Sequence, residues 1–288
     1  MIYLVLSVLF ATSLFVIFKY FEVFKIDTLK AIIINYLVAF SFGIGLSEVE
    51  FSFVEIPQKP WFFGAMILGA LFVSIFFVMA NTAQKNGVSV ASVAGKMSVV
   101  IPIVFGVFLY DESVNFFKVL GIIIALLAVY LASVKDQNSN VEKASLLFPI
   151  LLFFGSGAID TILKYVEVNF VPENEVSLFS GSLFGFAALF GLIVLLIKTI
   201  KKRESFGCKN IIGGIVLGIP NYFTIVFIIK ALQTKGFESS TIFTINNVAV
   251  VIVSTIVGLI LFKEQFSLKN KIGVFLAIVG IILVTIAS

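Results

Sequence analysis

Apolar residues fill ten stretches of this chain, at about Met1 to Phe18, Leu29 to Ser47, Trp61 to Ala83, Val88 to Tyr110, Val114 to Val134, Ser145 to Tyr165, Val176 to Ile200, Asn210 to Leu232, Ser239 to Phe262 and Leu268 to Ala287. Each is close to the roughly 20 residues that a helix needs to cross a bilayer. The segments between them are short and carry turn and charge signals, such as Lys59-Pro60 and Lys201-Lys202-Arg203-Glu204. The first stretch lacks a basic leader and a small-residue cleavage site, so it reads as a retained span and not as a signal peptide. The pattern predicts an all-α integral membrane protein with ten transmembrane helices.

Composition supports that class. Sixty per cent of the residues are hydrophobic, 12% are charged and the mean hydropathy is +1.16, whereas soluble domains carry about a quarter charged residues. Cys208 is the one cysteine and there is no histidine, which leaves no intramolecular disulfide, no usual metal site and no expected cofactor. The basic residues are scattered through short loops, which gives nucleic-acid binding no support.

The two halves of the chain repeat each other. Lys19-Tyr20-Phe21-Glu22 recurs as Lys164-Tyr165-Val166-Glu167, Gln84 with Gly87 as Gln233 with Gly236, and Glu112 with Gly121 as Glu264 with Gly273. These offsets divide the chain into a first five-helix repeat over 1–134, a linker over 135–143 and a second repeat over 144–288. Because each half holds an odd number of spans, the second must enter the membrane from the opposite side. Charge agrees. Fourteen Lys and Arg residues, among them Lys19, Lys85, Lys135, Lys201 and Lys263, fall on one side, and five (Lys59, Lys118, Lys164, Lys230 and Lys235) on the other. Positive-inside logic makes the first side cytoplasmic.

Ten spans in two inverted halves, with a Glu closing spans four and nine ahead of a Gly-bearing span (Glu112 with Gly121, Glu264 with Gly273) and Pro102 in span four, resemble the drug/metabolite transporter superfamily in its EamA-type bacterial branch. The resemblance covers essentially the full length. Span nine departs from it, having no proline and carrying Asn246-Asn247 instead. The resemblance implies a proton- or gradient-linked transporter of a small metabolite, often an exporter, in the inner (plasma) membrane, with a cavity lined by spans one, three, four, six, eight and nine.

Polar residues inside the spans mark the candidate site. Lys96 lies deep in an apolar run, and an ionisable group there costs about 2.5 to 3.5 kcal/mol on insertion scales, so it normally faces a cavity or a partner. Ser89, Ser92 and Lys96 fall on one helical face and are read as a cavity wall; the alternative is a lysine that snorkels to the interface. Asn246 and Asn247 lie at nearly the same depth on the repeat-related helix, where they either line one central substrate site or hydrogen-bond between helices. Asn221 follows Pro220 at an expected kink in span eight, and it joins the candidate substrate-binding set. Asp160 is either the partner of Lys164, four residues on, or a proton-coupling carboxyl whose burial among apolar neighbours would raise its pKa. Lys19, Lys164 and Lys230 read as interfacial anchors. Glu112 and Glu264 read as structural carboxylates at the N-terminus of the helix that follows each. Gly121, Ala125, Ala128, Gly273, Ala277 and Gly280 form small-residue faces that let spans five and ten pack on each other or, as a homodimer, on a second subunit.

Together these features predict a secondary transporter of a small polar or anionic metabolite such as an amino acid, working by alternating access with proton coupling, and the resemblance implies that it is an exporter. A channel and a membrane-embedded enzyme are the alternatives. No acid/base or metal constellation near an interface supports the enzyme, and one lysine, one aspartate and two asparagines do not make an even pore lining. The charge count further predicts that both termini lie outside the cytoplasm. Cysteine scanning at Ser139 and Ser288 on a Cys208-free background checks this. Exclusive labelling of Ser288→Cys from the cytoplasmic side would reverse the orientation.

Overall fold

The computed structural model describes residues 2–47, 49–102, 104–105, 115–133, 146–199, 207–232 and 239–286. They form ten α-helices: α1 (Ile2–Val23), α2 (Thr28–Gly45), α3 (Phe62–Lys85), α4 (Val88–Met97), α5 (Phe116–Ser133), α6 (Leu147–Phe170), α7 (Val176–Thr199), α8 (Cys208–Leu232), α9 (Ser239–Leu261) and α10 (Leu268–Ile286). Each falls on one of the ten apolar stretches. Among the described residues, α1, α2, α3, α7 and α8 are long and apolar enough to cross a membrane by length and composition alone. Glu112, Gln233, Gly236 and the linker 135–143 lie outside the described residues.

Span four differs from its sequence pattern. The apolar run reads as continuous from Val88 to Tyr110, yet α4 stops at Met97, the chain turns at Ser98 and Val99, and helix resumes at 100–102. Pro102 explains the break, because it has no N–H to give the Ser98 carbonyl and its ring crowds that same group. The Ser98 carbonyl instead accepts the Ile101 N–H at 2.9 Å, a tighter three-residue turn. The Ser98 hydroxyl donates to the Gly95 carbonyl at 2.6 Å.

Side chains close several helix ends. Asp27 accepts the Lys30 N–H at 3.1 Å to cap α2, and its own N–H donates to Asn210 Oδ1 at 2.9 Å. Ser267 and Asn270 cap α10 reciprocally, and Asn270 Nδ2 also donates to the Leu131 and Ala132 carbonyls at 3.1 and 2.9 Å, near the C-terminus of α5. After α1 and α9 the chain passes through a lysine in the left-handed region, Lys25 (φ 52°) and Lys263 (φ 50°). The next residue then donates back to the helix, Ile26 to the Phe21 carbonyl at 2.9 Å and Glu264 to the Gly258 carbonyl at 3.0 Å.

Contacts divide the chain into two compact units, one of Met1–Tyr20, Val78–Ala158 and Phe223–Ser288, the other of Phe21–Phe77 and Ile159–Tyr222. In the first, α5 packs on α10 and α4 on α9. A Cβ on Gly273 would strike the backbone of Ala132, and one on Gly280 would lie 3.2 to 3.4 Å from Met97, Ile124 and Ala125. The small-residue faces of spans five and ten therefore meet each other within one chain. Residue numbers rise on α10 as they fall on α5, so the two run antiparallel. The same holds for α4 and α9, where Ser89 lies against Gly258 and Ser92 against Ser254.

In the second unit α2 packs on α7, again antiparallel, with Gly43 against Gly181, Phe40 against Gly185 and Ile33 against Gly191. A Cβ on Gly43 would come within 2.6 Å of Gly181 Cα, so these backbones approach as closely as two glycines allow. Three pairs of repeat-related helices thus pack directly on each other in opposite directions. That is what two inverted copies require, since a helix and its counterpart then cross the membrane in opposite senses.

One end of the second unit is closed by Glu175, which accepts from Lys59 Nζ at 2.6 Å and Trp61 Nε1 at 2.8 Å. Trp61 is fully buried against Phe179. Burial alone would raise the Glu175 pKa, but the hydrogen bonds from Lys59 and Trp61 and the lysine charge outweigh it and hold the carboxyl below its ordinary value. A carboxyl depressed in the folded state adds stability above its unfolded pKa and loses it as pH falls through the folded one. Glu175→Gln is expected to destabilise the purified protein by about 1 to 3 kcal/mol at neutral pH. Thermal unfolding should show that gap narrowing as the pH drops below the carboxylate range and the wild-type glutamate takes up its proton.

Candidate functional site

The start of α4 is built from residues that recur in the two halves of the chain. Helix α3 ends where the Asn86 and Gly87 N–H groups both donate to the Thr82 carbonyl, at 2.8 and 3.1 Å. Gly87 then turns the chain with φ at 111°, a conformation that side chains resist. Having no side chain, it leaves the first amides of α4 without a local cap. Glu264 supplies one from the turn after α9: Oε1 accepts the Val88 N–H at 2.6 Å, and Oε2 accepts the Ser89 hydroxyl at 3.0 Å. A carboxylate on exposed helix amides is a charge-assisted contact on the positive end of the helix dipole. Nearby, Lys19 Nζ donates to the Gln84 carbonyl at 2.5 Å and Gln84 Nε2 to the Phe18 carbonyl at 3.0 Å, which ties α1 to the end of α3.

Two sequence expectations are corrected here. Glu264 does sit on free helix amides, but they belong to α4 and not to the helix that follows it. Lys19 is a C-terminal cap on α3 rather than a simple interfacial anchor. Lys230 does carry an aromatic contact near a span end, lying 5.6 Å from the Tyr3 ring centroid.

The polar stripe of α4 faces α9. Ser92 is fully buried and Ser89 nearly so. Ser254 on α9 donates to the Ser92 hydroxyl at 2.5 Å, and Ser92 donates to the Ser89 carbonyl at 2.9 Å. In this conformation the two serines therefore spend their hydroxyls within the helix pair. Lys96 lies one turn beyond Ser92 in the last turn of α4, half-buried where most of its neighbours are fully buried. Asn246 is buried on α9, and its Oδ1 accepts the Ser7 hydroxyl of α1 at 3.0 Å. Asn247 beside it is half-buried.

Asn221 and Asp160 belong to the second unit. Asn221 Nδ2 donates to Asn35 Oδ1 at 3.1 Å, both residues being buried. This pair sits where Gly214 and Gly218 bring α8 against Ile34 and Val38 of α2. Asp160 departs from expectation in being exposed, so the burial on which its proton affinity was argued is absent. It lies on the face of α6 that bears the buried Pro149 and Phe153, opposite the exposed stripe of Leu147, Leu151, Phe154 and Tyr165.

Sequence reasoning missed Ser7 and Asn35 as partners of the asparagines. Each is an isolated polar group in an apolar stretch, a signal that is present but weak. Among the described residues no three Cys, Asp or Glu side chains come together to hold a metal ion.

Comparison with known proteins fits this architecture. Residues 1–134 match the EamA-like transporter family, within the drug/metabolite transporter superfamily that the repeated Glu and Gly positions resemble. An uncharacterized protein of Haemophilus influenzae is 28% identical over 287 residues, 96% of this chain and 95% of that one. A Lactobacillus johnsonii protein named for a proposed role in sugar uptake is 26% identical over 212 residues, 70% of this chain and 69% of its own. The transporter YyaM of Bacillus subtilis is 28% identical over 142 residues, 48% and 44% of the two chains. A crystal structure with 13% sequence identity superposes at a TM-score of 0.61 over 99% of this chain and 96% of that one, and so shares the fold. The chain is a multi-pass membrane transporter whose residues 1–134 are EamA-like.

Proposed function

We propose that the protein is a secondary transporter of the bacterial inner membrane that exports a small polar or anionic metabolite, such as an amino acid, by alternating access coupled to protons. Lys96 carries this reading. It is the one cation in the middle of a span, and it sits beside a helix break. Interrupted helices leave backbone groups free at membrane depth, and such ends recur where transporters hold their substrates. The lysine supplies the charge that an anionic group needs. Asn246, with its Oδ1 taken by Ser7, has amide hydrogens left to orient a bound molecule, and Asn247 adds a second amide on the next face. Ser89 and Ser92 position the helix that carries Lys96, and Asn221 is a candidate substrate contact within its own unit. The inner membrane and the export direction rest on the charge count and on the family resemblance.

The name of the Lactobacillus johnsonii relative favours a second reading, in which a neutral polyhydroxyl substrate is held by Asn246 and Asn247. Lys96 separates the two. After metabolite profiling of cells with and without the protein, uptake of the leading candidates into proteoliposomes should fall about a hundredfold in Lys96→Ala with normal membrane insertion, as befits loss of a buried charge partner. Lys96→Arg should keep part of the activity, because the charge survives but its geometry changes. Wild-type transport by Lys96→Ala would rule out an anion-binding lysine.

Asp160 is the proposed proton carrier. Its exposure on the face of α6 opposite the lipid-like stripe supports an aqueous surrounding, which a carboxyl loaded from water needs. Asp160→Asn should lose the response of transport to an imposed pH gradient while keeping substrate counterflow. If the double variant Asp160→Asn with Lys164→Gln regains pH-driven transport, Asp160 serves only to neutralise the lysine.

A further inference from the structure

The cap on α4 does more than satisfy two amides. An ordinary helix start is capped by the side chain at its own N-cap position, which travels with the helix. Here that position is Gly87, and the capping group comes from a segment 176 residues further on. The space is shaped for it: a Cβ on Gly87 would lie 2.8 Å from Glu264 Oε1, and one on Gly258 would lie 2.5 Å from Oε2. The turn that delivers the carboxylate holds Lys263 in the left-handed region, which non-glycine residues rarely adopt outside functional or tightly held positions. At its other end α4 is broken at Ser98 and Val99, so the helix is a ten-residue rod gripped at the start and hinged at the finish. Lys96 sits near the hinge, about 12 Å along the axis from Val88.

We propose that Glu264 is a positioning residue for transport: it latches the N-terminus of α4, and with it Lys96, in one arrangement and releases it during each transport cycle. The inference rests on the alternating-access reading. A contact made across two segments, by one carboxylate on the Val88 N–H (2.6 Å), the Ser89 hydroxyl (3.0 Å) and, more loosely, the Ser89 N–H (3.5 Å), can part without unfolding either segment. The freed Val88 and Ser89 N–H groups would lie at a helix end, where water can replace the carboxylate. Release would also separate Ser92 from Ser254, since both hydroxyls lie on the same α4–α9 contact. In sequence, Gly87 and Glu264 have the repeat counterparts Gly236 and Glu112, so each half supplies one residue to each of two such pairings, the second lying outside the described residues.

The test needs neither a substrate nor transport. Full-length protein with Ser92→Cys on a Cys208→Ser background is treated with N-ethylmaleimide in membrane vesicles. Position 92 is fully buried in the closed arrangement, so modification reports opening. We expect steady modification with native Glu264 and a rate about tenfold higher in Glu264→Gln, which keeps the shape but loses the charge. A thiol that stays inert in both proteins, or reacts equally in both, overturns the latch. Should Glu264→Gln fail to insert, the double variant Ser92→Cys with Ser254→Cys serves with Glu264 intact. Oxidising that pair to a disulfide should slow hydrogen exchange of the Val88 and Ser89 amides about tenfold relative to the reduced form, and equal rates overturn the proposal. Wild-type transport by Lys96→Ala would defeat the substrate assignment but leave these two measurements untouched.

Discussion

A helix in hydrocarbon can satisfy its backbone internally except at its ends and breaks, and several of this protein's polar side chains are committed to those places. The Glu264 carboxylate on the Val88 amide, at 2.6 Å, is the strongest case, because it joins the start of one helix to the end of its repeat counterpart. Lys19 on the Gln84 carbonyl and Asn270 on the last carbonyls of α5 follow the same rule. These charged and amide groups are placed where unsatisfied backbone would otherwise be costly.

Between those ends, close packing depends on small residues at the contacts between repeat-related helices. Gly43 against Gly181 and Gly273 against Ala132 bring backbones within van der Waals reach, where lipid tails cannot compete and dispersion contacts accumulate. These positions leave no room for added bulk. Polar contacts fix the register at other helix interfaces, Ser92 with Ser254 between α4 and α9 and Asn35 with Asn221 between α2 and α8.

Much of the architecture was legible in the sequence. Hydrophobic runs locate helices in a membrane protein because the bilayer sets their length. The repeat was visible in Lys19, Gln84, Gly87 and Glu264 because each is a helix-end residue with one geometric task. What those tasks were could not be read. The partner of Glu264 lies in another helix far away in sequence, and a periodic pattern carries no information about such contacts. The exposure of Asp160 was hidden for a similar reason, since a polar residue in an apolar run reads the same whether its side of the helix meets packing or an opening. Pro102 did announce the break in α4, although hydropathy alone ran straight through it.

The placement of the α4 cap also bears on how the protein is made. When α4 leaves the ribosome its first amides have no partner, and the glutamate that will hold them lies 176 residues downstream of Val88. At ordinary elongation rates that is a wait of roughly 10 to 35 s, spent in the translocon or at the lipid interface. The first half of the chain, although it is the part that matches the family, is thus left with an open seam until the second half has been inserted. A truncated first repeat would keep its spans but not this joint. Quality-control proteases that recognise exposed polar backbone in the membrane would have a reason to distinguish a half-made transporter from a finished one.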